Sequence, residues 1–117
     1  MTDPELRTLL EALRREADDR TTALEAALAQ LTHDRSSLSD DDEHDPEGVP
    51  LSAEWSRLSG LLDGSRAELE QVDAALTRMD AGTYGVCANC GLSIPIARLR
   101  VRPFAELCVP CAEKLGR

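Results

Sequence analysis

The sequence predicts a mainly α-helical protein, in which a long antiparallel two-helix coiled-coil hairpin is followed by a small four-cysteine zinc finger. Three observations predict this fold class. Two long segments repeat Leu and Ala at alternating spacings of three and four residues. A strongly acidic segment separates them, and two C-x-x-C pairs follow the second one. We expect the hairpin to occupy residues 1–80 and the finger residues 81–117.

The first helix is predicted over residues of about 3–36. Pro4 suits the first helical position, and no glycine occurs before Ser36. The apolar residues then follow the spacing of a coiled-coil seam. One predicted row of this seam is Leu10, Ala17, Leu24, Leu31 and Leu38, and the other is Leu6, Leu13, Arg20, Ala27 and Asp34.

The second helix is predicted over residues of about 51–80, and its seam matches that of the first. An antiparallel arrangement places Leu10 opposite Met79 and Leu31 opposite Leu58, so that seam positions meet seam positions. Two coils that dimerise separately would not need this match, which favours an intramolecular hairpin. The rows of the second helix are Trp55, Leu62, Leu69 and Leu76, and Leu51, Leu58, Ser65, Val72 and Met79.

An acidic turn is predicted between the helices, at about 37–50, where six carboxylates lie between Asp40 and Glu47. A solvated loop and a functional tip both remain open for this segment. The net charge is −9, but residues 84–117 carry five basic and two acidic side chains. An acidic arm on a mildly basic module indicates a protein partner rather than a phosphate backbone, which requires a clustered positive face.

The cysteine pattern predicts a zinc site. Cys87 and Cys90 form one pair, Cys108 and Cys111 form the other, and 17 residues separate the pairs. This spacing is typical of a four-thiolate Zn²⁺ site. Two disulfides would require an oxidising compartment, for which no secretion signal is present. Four protein thiolates leave no open coordination position, which argues against a zinc hydrolase.

Between the cysteine pairs, residues 97–103 alternate apolar and basic side chains in a strand-like pattern. Such a strand would place Arg98, Arg100 and Arg102 on one face. That face is either the exposed side of a small hairpin or a contact surface for an acidic partner or nucleic acid.

We expect no enzyme activity, because no motif groups a nucleophile with a base. The sequence has no signal-peptide pattern and no apolar run of the ~18 residues that a membrane span needs. We therefore expect a cytoplasmic protein without a membrane partner.

The stretch AGTYGVCANCGLSIPIARLRVRPFAELCVPCAEK, residues 81–114, resembles the zinc finger of the TraR/DksA family of bacterial transcription regulators. Its matching features are G-T-Y-G, C-x-x-C-G, A-R-L-x-x-R-P and L-C-x-x-C. The resemblance extends to the layout of a two-helix coiled coil with an acidic tip. It implies a monomer that binds RNA polymerase through the secondary channel, without direct sequence-specific DNA binding.

The resemblance also implies that acidic tip residues come close to the catalytic metal of the polymerase. The family's tip has two Asp residues three positions apart, followed by Ala. If the first Asp is Asp45, Gly48 and Pro50 stand in the positions of the second Asp and the Ala. In the alternative register Asp42 and Asp45 match the pair, and Glu47 stands in the position of the Ala. Neither register matches in full, and we take Asp42 and Asp45 as the tip residues.

Three alternatives remain open at this point. The chain could be a zinc-stabilised coiled-coil adaptor for another protein, or a transcript-cleavage accessory factor whose tip carboxylates hold a second metal. It could also be a redox switch in which oxidised thiolates release the zinc.

Overall fold

The computed structural model describes residues 4–38 and 51–117, apart from the side chains of residues 35–38. Within this part of the chain there is no β-strand, and Val86 and Ser93 form a single isolated antiparallel bridge. The predicted fold class is confirmed. The described residues form four helices, α1 (Pro4–Leu38), α2 (Leu51–Asp80), α3 (Ile96–Val101) and α4 (Val109–Lys114).

The ends of the two long helices follow from local chemistry. Pro4 begins α1, where its missing N–H would have no intrahelical partner. In α2, Glu54 lies in the first turn and Arg78 in the last, and each charge interacts favourably with the helix dipole at its end. After Asp80 the chain turns at Gly82, whose φ of 78° lies in the left-handed region that favours glycine.

One compact unit consists of Met1–Arg15 and Glu70–Arg117, and so contains one end of each long helix together with the cysteine region. Its helical part has an apolar core that includes Leu6, Leu10, Val72, Ala75 and Met79, each at most 3% exposed. Ion pairs flank this core on the outside. Arg7 reaches Asp80 across 2.8 Å, and Arg14 reaches Asp73 across 2.6 Å.

The second compact unit, Glu16–Leu69, contains the remaining parts of both long helices. Its buried residues include Ala17, Leu58 and Leu62 and two polar residues, Thr21 and Ser65. The hydroxyls of Thr21 and Ser65 lie 2.8 Å apart, and both also hydrogen-bond the carbonyl oxygen of Ala17. Because its hydroxyls are paired, this polar layer is buried without an unsatisfied group.

The predicted seam of α1 was wrong at two positions. Arg20 and Ala27 are exposed, whereas Thr21 is buried and Leu28 is half-buried. An α-helix has 3.6 residues per turn, so its buried face drifts away from a strict seven-residue repeat. Because Arg20 lies outside the seam, its guanidinium can form an ion pair with Glu68 of α2, at 2.5 Å.

The predicted seam of α2 agrees better with the observed burial. Leu58, Leu62, Ser65, Val72 and Met79 are all buried, as the heptad pattern indicated. Leu51, Leu69 and Leu76 are half-buried. Trp55, the first member of its row, is 38% exposed. Leu38 was also predicted to belong to the seam of α1, but its side chain lies outside the part of the chain that the structure describes.

The strand-like interpretation of residues 97–103 was wrong, because Ile96–Val101 forms a short helix, α3. Pro95 precedes it, and the N–H groups of Arg98 and Leu99 both donate to the Pro95 carbonyl oxygen. Leu99 is the buried residue of this helix. A segment with an alternating pattern forms a strand only where a neighbouring strand supplies hydrogen bonds to its backbone. None of the described segments forms a strand that could pair with residues 97–103.

Among residues 4–38 and 51–117, no helix combines the length and apolar character that a bilayer crossing requires.

Candidate metal centre

Two local turns present the four cysteines. In the first, Gly91 (φ 77°) donates to the Cys87 carbonyl oxygen across 2.9 Å, and the Cys87 N–H donates to Leu92. This closes a tight knuckle around Cys87 and Cys90. In the second, Cys108 is the N-cap of α4 and Cys111 lies in its first turn. The second cysteine pair is thus held by the start of a helix.

The four thiols converge on one point. All four Sγ atoms lie within 4.8 Å of one another, and those of Cys90 and Cys108 are 3.8 Å apart. A tetrahedral Zn²⁺ with Zn–S bonds of about 2.3 Å places its sulfurs about 3.8 Å apart. A disulfide needs about 2.05 Å. The geometry therefore fits a four-thiolate metal ion and not a pair of disulfides.

The electrostatics of the cluster also fit a divalent cation. The backbone N–H groups of Cys90 and Cys108 lower the pKa of the Cys87 thiol to about 6. At Cys108, the N–H of Cys111 lowers the pKa, but hydrogen bonding with the Cys111 thiol and burial outweigh it and raise that pKa to about 11. Neighbouring thiolates repel one another, so all four ionise together only around a cation.

A side-chain donor completes the surroundings of the sulfurs. The Asn89 amide lies inside the first knuckle and donates to Cys111 Sγ across 3.3 Å. Such a contact orients a metal-binding sulfur from outside the ligand set. The sequence interpretation did not single out Asn89. The only available signal was a short amide side chain between two cysteines.

The body of the finger is small. Ile94, Leu99, Leu107 and Ala112 are buried beside Cys87 and Cys111 in this unit. Tyr84 donates its hydroxyl to the Pro103 carbonyl oxygen across 2.9 Å. Burial raises the pKa of that phenol, although the charge of Arg78 opposes the shift. So few apolar groups make a small core, which is why a metal is needed to hold such a module together.

The three predicted arginines do not share one face. The Arg98 guanidinium donates to the Leu107 carbonyl oxygen across 3.0 Å, so it ties α3 to the second cysteine pair. Arg100 pairs with Glu5 of α1 at 3.3 Å. Arg102 is exposed at the C-cap of α3. Successive residues of an α-helix point about 100° apart around its axis. Every second residue therefore points in a different direction in a helix, whereas every second residue shares one face of a strand.

A concave pocket of about 610 Å³ adjoins this region. Arg98, Arg102 and Arg117 line it together with Phe104, whereas Arg100 does not. The predicted tip residues Asp42 and Asp45 lie outside the residues that the structure describes.

Comparison with known proteins finds matches for the cysteine region and for the longer chain. Residues 82–115 match the family model described as the prokaryotic dksA/traR C4-type zinc finger. An uncharacterised protein of Aquifex aeolicus (strain VF5) is 40% identical over 60 residues, which cover 51% of this chain and 41% of the relative. The RNA polymerase-binding transcription factor DksA of Escherichia coli (strain K12) is 29% identical over 108 residues, which cover 90% of this chain and 65% of the relative.

A solved structure extends the likeness to the fold. Transcription factor DksA2 from Pseudomonas aeruginosa superimposes with a TM-score of 0.78 at 26% identity, covering 95% of this chain and 80% of that one. The chain thus spans between about two fifths and two thirds of the length of these curated relatives. Residues 82–115 thus match a C4-type zinc finger of the dksA/traR kind, and the two long packed helices and the four-cysteine cluster resemble the fold of these DksA relatives.

Proposed function

We propose that this chain is a bacterial transcription regulator that acts by binding RNA polymerase, and that it is not an enzyme. One observation carries the proposal. The Escherichia coli relative, named for binding RNA polymerase, aligns with 90% of this chain and therefore with far more than the finger. The relatives from Escherichia coli and Pseudomonas aeruginosa are both named as transcription factors.

The proposed route of action is the secondary channel of the polymerase. The 30 residues of α2 make a helix about 45 Å long. The acidic segment that joins α1 to α2 would then lie near the polymerase active site. Carboxylates act there through their charge on the catalytic metal and its surroundings. Asp42 and Asp45 are the tip residues to which we assign this contact.

We further propose that Cys87, Cys90, Cys108 and Cys111 hold one structural Zn²⁺. The ion would supply folding free energy to a module that is too small to fold by burial alone. On the arginine surface, Arg98 and Arg100 already make internal contacts. Arg102 is exposed, and it forms no ion pair with any described residue, so we propose it as the arginine that meets the partner.

With a net charge of −9, the chain is expected not to bind DNA directly in a sequence-specific way. Because its two long helices pack on each other, we propose a monomer. We propose a cytoplasmic location, where the polymerase is found, and a division into a hairpin of residues 1–80 and a finger of residues 81–117.

Binding to purified core RNA polymerase, followed by transcription in vitro, tests this function. The informative variant is D42N/D45N, and the matched control is D40N/D41N, which removes the same charge from the same acidic segment. We expect both variants to bind the polymerase. Only D42N/D45N should lose the effect on transcription, because the proposed contact depends on position as well as charge.

Other outcomes would assign a different function. If wild-type protein does not bind core polymerase, the proposal is wrong and a coiled-coil adaptor for another protein is favoured. Shortened RNA in stalled complexes would instead indicate transcript-cleavage assistance. An equal loss of effect in both variants would show that the acidic segment acts through its total charge and would refute the assignment of Asp42 and Asp45.

A further inference from the structure

Arg78, in the last turn of α2, has an unusual environment for a charged residue. Its side chain is only 24% exposed, and its Nη1 lies 3.1 Å from Glu106 Oε1. Its Nη2 atom is fully buried and has no hydrogen-bond partner among the described residues. A partly buried guanidinium with a single ion pair is costly to keep, so its position calls for a physical explanation.

The backbone of Arg78 connects α2 to the first cysteine pair. Its carbonyl oxygen accepts hydrogen bonds from the N–H groups of Thr83 and Tyr84, at 2.8 and 3.2 Å, and from the Thr83 hydroxyl. The Thr83 carbonyl oxygen in turn accepts from the N–H of Val86, the residue before Cys87. The Arg78 carbonyl oxygen therefore holds the linker that runs from the end of α2 into the knuckle.

Its ion-pair partner, Glu106, contacts the first cysteine pair and precedes the second pair along the chain. The carbonyl oxygen of Glu106 accepts from the N–H of Ala88, which follows Cys87, at 2.8 Å. Along the chain, Glu106 stands two residues before Cys108. One residue thus contacts the first knuckle through its backbone and leads directly into the second. Its side chain is the one that pairs with Arg78.

We propose that Arg78 is a positioning residue for the metal centre, although it lies nine residues before the first cysteine and contributes no ligand. The ion pair of its guanidinium with Glu106 holds both cysteine pairs at the spacing that one tetrahedral ion requires. Its backbone carbonyl, which any residue at this position would supply, holds the linker through Thr83 and Tyr84. A preformed ligand set binds its metal more tightly and releases it more slowly than a loose one. This role is independent of polymerase binding.

The test measures the rate at which zinc passes from the protein to a chromophoric chelator in excess. The variants are R78M, E106Q and the double variant R78M/E106Q. The matched control is R57M, which removes an arginine that pairs with Glu54 within α2, far along the sequence from the finger. We expect R78M and E106Q each to release zinc about tenfold faster than wild type, the lower end of the effects seen for groups outside the ligand set.

Coupling and rescue distinguish positioning from a general loss of stability. The double variant should release zinc no faster than the faster single variant, because both substitutions break the same contact. R78K should restore most of the wild-type rate, and R57M should not change it. If R78M folds poorly by circular dichroism, E106Q carries the test, since Glu106 is an exposed carboxylate. Wild-type release rates in both single variants, or effects that multiply in the double variant, would overturn the proposal.

Discussion

At the scale of single residues, Asn89 provides a direct test of the metal centre. Its amide donates to Cys111 Sγ across 3.3 Å. We expect Asn89→Ala to lower zinc affinity by about tenfold through loss of this donor, and Asn89→Asp to lower it further by adding negative charge beside the thiolates. Competition with a metal indicator dye measures both affinities. An Asn89→Asp variant that binds zinc as tightly as wild type would contradict the assigned geometry.

The buried hydroxyl layer gives a second residue-scale prediction. Thr21→Val and Ser65→Ala should each lower the free energy of unfolding by about 1 kcal/mol, because each removes the hydrogen bond between the two hydroxyls and leaves the other hydroxyl with only the Ala17 carbonyl oxygen. The double variant should lose less than the two single losses combined, since both substitutions remove the same hydroxyl–hydroxyl bond. Urea unfolding measures all three values. Strictly additive losses would show that the two hydroxyls do not act as a pair.

At the scale of whole elements, the two glycines of α2 lower the stability of the helix, although no neighbouring group requires a residue without a side chain at either position. Gly60 and Gly64 are exposed, and a Cβ built on either would meet nothing within 4 Å. We expect G60A and G64A each to raise the free energy of unfolding by about 0.5–1 kcal/mol, because alanine has the higher helix propensity. Denaturant unfolding followed by circular dichroism at 222 nm measures the change.

Gly82 serves as the matched control for these substitutions. It too has open space around a built Cβ, but its φ is +78°. G82A should therefore lower the free energy of unfolding, by about 1 kcal/mol, because the left-handed conformation strains any residue with a Cβ. Stabilisation by all three alanines, or by none, would show that backbone conformation is not what separates these sites.

The flanking ion pairs of α1 and α2 contribute less than the seam. Arg7–Asp80 and Arg14–Asp73 are at least one-third exposed on both sides, and pairs of this kind contribute about 0–1 kcal/mol. By contrast, fully burying one leucine contributes about 1.5–3 kcal/mol. The apolar seam therefore stabilises the hairpin, and the ion pairs favour the antiparallel orientation in which opposite charges meet.

At the scale of the whole molecule, zinc should support only part of the helical structure. α3 and α4 have six residues each, whereas α1 and α2 have 35 and 30. Excess chelator should therefore reduce the helical circular dichroism by about one-sixth, because the buried seam of α1 and α2 contains no metal ligand. The control adds Zn²⁺ back and should recover the signal. Loss of most of the helical signal would show that the seam itself depends on the metal.

Much of the fold and the metal centre could be predicted from the sequence, because both depend on short-range patterns. A seam of leucines at alternating spacings appears within any two turns of helix, and a C-x-x-C knuckle is a four-residue motif. The supporting contacts could not be predicted in this way. Arg78 and Glu106 are 28 residues apart, and neither belongs to a motif.

The sequence by itself determined that two long helices pair through leucine seams and that four cysteines share one metal-sized space. Only the tertiary structure decided that Thr21 rather than Arg20 faces inward, and that Arg98 is tied to the Leu107 carbonyl. It also decided that residues 96–101 form a helix. The physical reason is that periodicity specifies which residues can be buried, whereas helix twist and the hydrogen-bond partners within reach select those that are.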